Sequence, residues 1–114
     1  MKVSEIVKLL DGTVLCEGNN RDCDLASACA SDMMSDVLAF VKNQAVLVTG
    51  LCNPQVVRTA EMMDMLCIVL VRGKKPDSTL IDLAKERGIT VIATPHRMFA
   101  TCGILYQAGL KAED

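Results

Sequence analysis

"AVLVTGLCNPQVV", residues 45–57, decides the fold. Its first part, "AVLVT" (45–49), is a short apolar run bounded by a turn signal. Such a run, apolar without alternation, is how a strand covered on both faces reads. Gly50 then lets the chain leave the strand in a tight turn. Asn53 is a helix-capping residue type, and Pro54 suits the first helical position, where no backbone donor is needed. Strand, turn and capped helix follow one another directly, which is one unit of an α/β protein.

Working outward, "CIVLV" (67–71) and "TVIA" (90–93) read as further buried strands. The helix that opens at Asn53-Pro54 is expected to bury Val56, Ala60 and Met63. A helix capped by Asp77 or Ser78 runs to Arg87, with Gly88 just past its end. The last helix is expected to start at Thr94-Pro95 and to stop at Gly109. Met98, Phe99, Cys102, Leu105 and Tyr106 form a stripe on it that predicts one packed face. Upstream, "SACA" (27–30) is a short strand, and a helix from Ser31 or Asp32 carries Met34, Val37, Leu38 and Val41 at helical spacing. "TVLCE" (13–17) is the first strand. It follows a helix from Ser4, as N-cap, to Leu10, stopped by Gly12. Three strand–helix units in sequence imply parallel strands joined by right-handed crossovers. The first strand has no helix between it and the second, so one antiparallel edge is expected. The prediction is a single domain over residues 1–114, a three-layer α/β/α sandwich with a mixed, mostly parallel sheet of about five strands.

Composition removes several function classes. At 114 residues and 51% apolar content, the chain can bury a core without staples. Net charge is −2 and aromatics are 3%, with no Lys/Arg run, so the phosphate-facing cations and stacking rings of nucleic-acid binders are missing. No apolar run approaches the ~20 residues of a membrane span, and the first twelve residues do not read as a secretory signal. A cytoplasmic location is the expectation. Six cysteines are irregularly spaced with no C-x-x-C pair, which favours free, mostly buried thiols over a disulfide framework or cluster.

In open α/β sheets ligands bind beyond the carboxyl ends of the strands. That rim collects Ser31, Asp32, Thr49, Gly50, Asn53, Arg72, Gly73, Thr94 and His96. The segment 48–57 is neither a Walker A loop nor G-x-G-x-x-G. It reads first as an ordinary strand-to-helix junction, as every α/β protein needs, and alternatively as an anion site made of backbone N–H groups. "ATPHRMF" (93–99) repeats the design, with Thr94 as cap, Pro95 in the first turn and His96, the one histidine, beside it. His96 reads as a ligand donor, a proton carrier or a plain exposed residue. In "RDCDLASACASDMMSD" (21–36), Asp32 and Asp36 are four apart and could do acid–base work or hold Mg²⁺. Capping and the helix dipole account for both without a metal. No serine lies in a G-x-S-x-G elbow.

"SDMMSDVLAF", "VLVTGLCNPQVVRTAEMMD", "CIVLVRGKKPD" and "ATPHRMFATCGILYQAGL" resemble the DRTGG domain family over roughly residues 1–110, including the N-terminal domain of HPr kinase/phosphorylase. The resemblance implies an α/β regulatory or ligand-sensing module that often self-associates and has no catalytic centre of its own. The family's name-giving motif falls at Asp22–Ala28, where only Asp22 is kept. Cys23, Ala26, Ser27 and Ala28 replace the arginine, the threonine and both glycines, which removes the groups that would approach a phosphate there.

The expectation is therefore a non-enzymatic regulatory or interaction domain, a homodimer, with no cofactor and no metal site. Its apolar surface for self-association comes from "AEMMDML" (60–66) and the stripe of the last helix. The alternative is a binding protein for a nucleotide or phosphorylated metabolite, with Thr49, Gly50, Asn53, Gly73, Thr94 and His96 as its ligand-binding residues. A protein partner is a further alternative; nucleic acid and membrane are not expected.

Overall fold

The computed structural model describes residues 1–19, 23–41 and 45–112. It contains helix α1 (Val3–Leu10), strands β1 (Thr13–Cys16) and β2 (Ala28–Ala30), α2 (Met34–Phe40), β3 (Val46–Thr49), α3 (Gln55–Met62), β4 (Cys67–Leu70), α4 (Ser78–Arg87), β5 (Thr90–Ala93) and α5 (Met98–Gln107). The sheet order is β1-β5-β4-β3-β2. Strands β2 to β5 are parallel neighbours, and β1 joins β5 antiparallel as the expected edge.

The period-two alternation of strand side chains divides the core in two. Leu47, Ile68, Leu70 and Val91 face one way and pack under α2, α3 and α4 with Val37, Val56, Ala60, Leu80 and Ala84. Val46, Val48, Cys67, Val69 and Ile92 face the other way and pack under α1 and α5 with Val3, Ile6, Leu10 and Leu105. Both faces are covered, which explains why these strands are apolar throughout. The three-layer sandwich is thus three helices against two.

Several local expectations change. α1 begins at Val3 with Lys2 as its N-cap, not at Ser4, because Val3 is buried while Ser4 is exposed. Ser31 and Asp32 do not open α2. Ser31 Oγ accepts the Met33 N–H at 3.0 Å in a turn, Met33 is the N-cap, and Asp32 bonds elsewhere. Asp36 does lie in the first turn of α2. Leu38 points outward, and Val41 follows the helix. α3 starts at Gln55 with Pro54 as its N-cap, so Asn53 lies one residue before the cap, where its Oδ1 accepts the Gln55 N–H at 3.0 Å in a turn. Asp77 caps α4 through the N–H groups of Thr79 and Leu80, and Gly88 ends it in the left-handed region at φ 71°.

The last helix differs most. It starts at Met98 with Arg97 as N-cap, so Thr94, Pro95 and His96 form a loop before it. Its predicted packed stripe splits. Leu105 is buried and Met98 and Cys102 are half-buried, but Phe99 is 90% and Tyr106 70% exposed. The thiols are free: Cys16 and Cys67 are buried, Cys29, Cys52 and Cys102 half-buried, and Cys23 exposed. In the methionine-rich segment, Met65 is buried and Met62 exposed.

Candidate functional site

After β4 the chain turns to α4 on one face of the sheet, and after β5 it turns to α5 on the other. Neighbouring parallel strands whose connections diverge open a crevice at their carboxyl ends. Here the two loops that leave those ends are knitted together. The Arg72 N–H donates to the His96 carbonyl at 2.7 Å, and the Gly73 N–H to the Thr94 carbonyl at 2.8 Å. Thr94 is fully buried; its hydroxyl donates to the Leu10 carbonyl at 2.7 Å and accepts the His96 N–H at 3.3 Å. That tertiary bond to α1 is why Thr94 does not cap α5.

The knitting requires positive φ at both Arg72 (65°) and Gly73 (63°). Glycine takes this conformation freely; in arginine it costs about 1–2 kcal/mol. Strain of this kind gathers at functional sites. The strained arginine lies over Gly50, where an added Cβ would sit 2.3 Å from the guanidinium Nη2. Gly50 leaves room for that close approach; a larger residue there would push the guanidinium aside.

Asp32 completes the cluster from β2. Its Oδ1 accepts the Gly50 N–H at 2.6 Å and the Thr49 hydroxyl at 3.0 Å. Thr49 Oγ1 in turn accepts the Leu51 N–H at 3.1 Å. The Gly50 N–H bond holds the Asp32 carboxyl below its ordinary range, helped by the Thr49 hydroxyl and then by the positive charges of Arg72 and Lys74, against a smaller opposing effect of burial. Burial pushes the Cys52 thiol up, and the same two cations partly offset it. The start of the β3–α3 loop thus already carries an internal carboxylate on its donors. Arg72 and Lys74 remain as the cations of the rim.

The predicted residues fall into two groups. Thr49, Gly50 and Asn53 build the β3–α3 turn; Gly73, Thr94 and His96 build the paired loops beyond β4 and β5. Arg72, with its guanidinium over Gly50, joins the groups. Arg72, Lys74 and the bridging role of Asp32 were missing from the predicted ligand set. The available signal was "VRGKK" (71–75): cations at the exit of an apolar strand, with a glycine inside the turn. Asp22 lies outside the described residues. Among the described residues no group of three or more His, Cys, Asp or Glu could hold a metal ion, and no helix is long and apolar enough to cross a membrane.

A family model described as the DRTGG domain matches residues 5–108. The chain belongs to the DRTGG domain family. No curated protein matches it. Among solved structures, this DRTGG chain is similar to the CBS and DRTGG domains of the regulatory region of Clostridium perfringens pyrophosphatase, complexed with its activator diadenosine tetraphosphate. The TM-score is 0.79 at 18% identity, over 99% of this chain and 51% of that one. At that identity the likeness establishes a shared fold, and the DRTGG chain spans about half the length of the pyrophosphatase region.

Proposed function

We propose that this DRTGG domain is a non-catalytic, cytoplasmic regulatory module. It reads a nucleotide or phosphorylated metabolite at the rim between β4 and β5 and works as a homodimer or through a protein partner. The observation that carries the reading is the strained Arg72, held over Gly50 beside Asp32 and Lys74. Arg72 and Lys74 are suited to phosphate oxygens. Asp32 spends Oδ1 on the β3–α3 turn, and its other oxygen is suited to ribose hydroxyls, as acidic residues are in dinucleotide sites. Gly73, Thr94 and His96 frame the floor, while Thr49, Gly50 and Asn53 fix the turn that sets Asp32. The nucleotide activator of the pyrophosphatase regulatory region supports the ligand class. A regulatory role is supported by the DRTGG family match and by the likeness to a pyrophosphatase regulatory region.

The test is calorimetry and thermal shift with diadenosine tetraphosphate, ATP, AMP, ribose 5-phosphate and inorganic phosphate. A ligand at a hundred times its Kd should stabilise the protein by about 2.7 kcal/mol. Arg72→Gly gives a sharper outcome. It relieves the left-handed strain, so the unliganded protein should gain about 1 kcal/mol, while ligand stabilisation is lost. Wild-type protein that responds to none of the panel would sink the ligand reading.

A further inference from the structure

Among the described residues, α5, "MFATCGILYQ", is the one helix of five without a charged side chain. Its inner side is accounted for by Thr101 and Leu105, both buried. Its outer side carries Phe99 and Tyr106, two of the chain's three aromatics, at 90% and 70% exposure. Between them stands Gly103, in the interior of a helix, where glycine is disfavoured. A Cβ built at Gly103 meets nothing within 4 Å, so no contact inside the chain requires glycine there. Positions 99, 103 and 106 are four and three apart and share a face. Alongside runs an apolar cleft of about 180 Å³, where Cys102 and Tyr106 of α5 overhang Ala28 and Ala30 of the edge strand.

We infer that this face is the self-interface: α5 of one copy packs antiparallel on α5 of a second, with the two-fold axis near Gly103. A two-fold contact sets one face against its own copy, so a face without charge buries no ion, whereas a charged face has to be desolvated. α1, α2, α3 and α4 all carry charge; α5 does not. Glycine at the axis lets the two backbones approach closely. The antiparallel arrangement then lays Phe99 of each copy beside Tyr106 of the other. The four rings remove roughly 600–800 Å² from water, about half of a standard interface. Ala100, Met98 and Gln107 extend the contact. The result is a dimer of modest affinity. This inference rests on the self-association proposed above and adds the surface; it does not depend on the ligand reading.

Sedimentation velocity at tens of micromolar tests it on the wild type, Phe99→Ser/Tyr106→Ser and Gly103→Gln, with melting curves for each. The expected result is a dimeric wild type and two monomeric variants. Gly103→Gln should also melt higher than the wild type at a dilution where both are monomeric, since glutamine is the better helix former. A variant that loses the dimer while gaining monomer stability has no explanation in misfolding. If the wild type is dimeric and both variants stay dimeric, α5 is not the interface and self-association stands. If the wild type is monomeric, self-association itself fails and the surface with it.

Discussion

Asp32 shows how far a single residue can be read from its neighbours in sequence. An aspartate just before a helix reads as a cap, yet its carboxylate ties the end of β2 to the turn after β3, through the Gly50 N–H and the Thr49 hydroxyl. A cap depends on residues two or three positions away, while this bond spans 18 residues, so no local pattern could reveal it. Its pH dependence has a definite sign. The folded-state pKa is lowered, so the bonds stabilise the protein above the ordinary aspartate range and fade as pH falls through the folded value. Asp32→Ala leaves the Gly50 N–H without its acceptor. The expected cost is about 1–2 kcal/mol at pH 7, discounted for an exposed carboxylate. Asp32→Asn keeps a neutral acceptor and should cost less. Denaturant melts of the three proteins from pH 7 down to pH 3 check this. The gap between wild type and Asp32→Ala should shrink below about pH 4; a gap that widens on acidification would contradict the assigned bond.

At the scale of elements, the contrast between α4 and α5 explains which helix ends were legible. The ends of α4 are closed by residues adjacent in sequence, Asp77 at one end and Gly88 at the other, and both were read correctly. The start of α5 was misplaced because Thr94 gives its hydroxyl to Leu10, a residue of the first helix. The stripe of α5 was legible as apolar but not as outward-facing, since periodicity shows that a face exists without showing what covers it. Gly88 also carries a tertiary role. Its carbonyl accepts the Asn19 N–H at 3.0 Å, and an added Cβ would lie 2.3 Å from the Asn19 side-chain Nδ2. Gly88→Ala therefore combines left-handed strain with displacement of the Asn19 side chain. The expected loss is about 1–2 kcal/mol, or roughly 5–10 °C in Tm for a domain near this size. Gly18→Ala should cost more, because its added Cβ would meet the Gly88 carbonyl oxygen at 2.3 Å, and backbone yields less than a side chain. Thermal melts of the two variants rank them, and an unchanged Tm for Gly18→Ala would mean the β1 exit does not pack as described.

At the scale of the whole molecule, the fold was legible because it is built from strand–helix units whose signals are local, and the mixed sheet follows once they are chained. The rim cluster was only half legible, because it joins residues from four separate loops. The division of the core by the sheet has its own chemical consequence. Cys67 is buried at the start of β4, and burial pushes its thiol up to about 12. Cys29, on the short edge strand β2, is pushed up to about 11, by burial first and by the neighbouring Cys102 second. Thiolate is the reactive species, so at pH 8 Cys67 is overwhelmingly the unreactive thiol even before access is considered. Cys23 is exposed. Alkylation of the native protein at pH 8, followed by peptide mass spectrometry, should therefore label Cys23 first and Cys29 slowly. Cys67 should react only at the rate of global opening, so denaturant that accelerates unfolding should accelerate Cys67 labelling in proportion while leaving the early Cys23 rate unchanged. Labelling of Cys67 in step with Cys23 under native conditions would show that α1 and α5 do not close that side of the sheet, and the two-against-three layering would have to be abandoned.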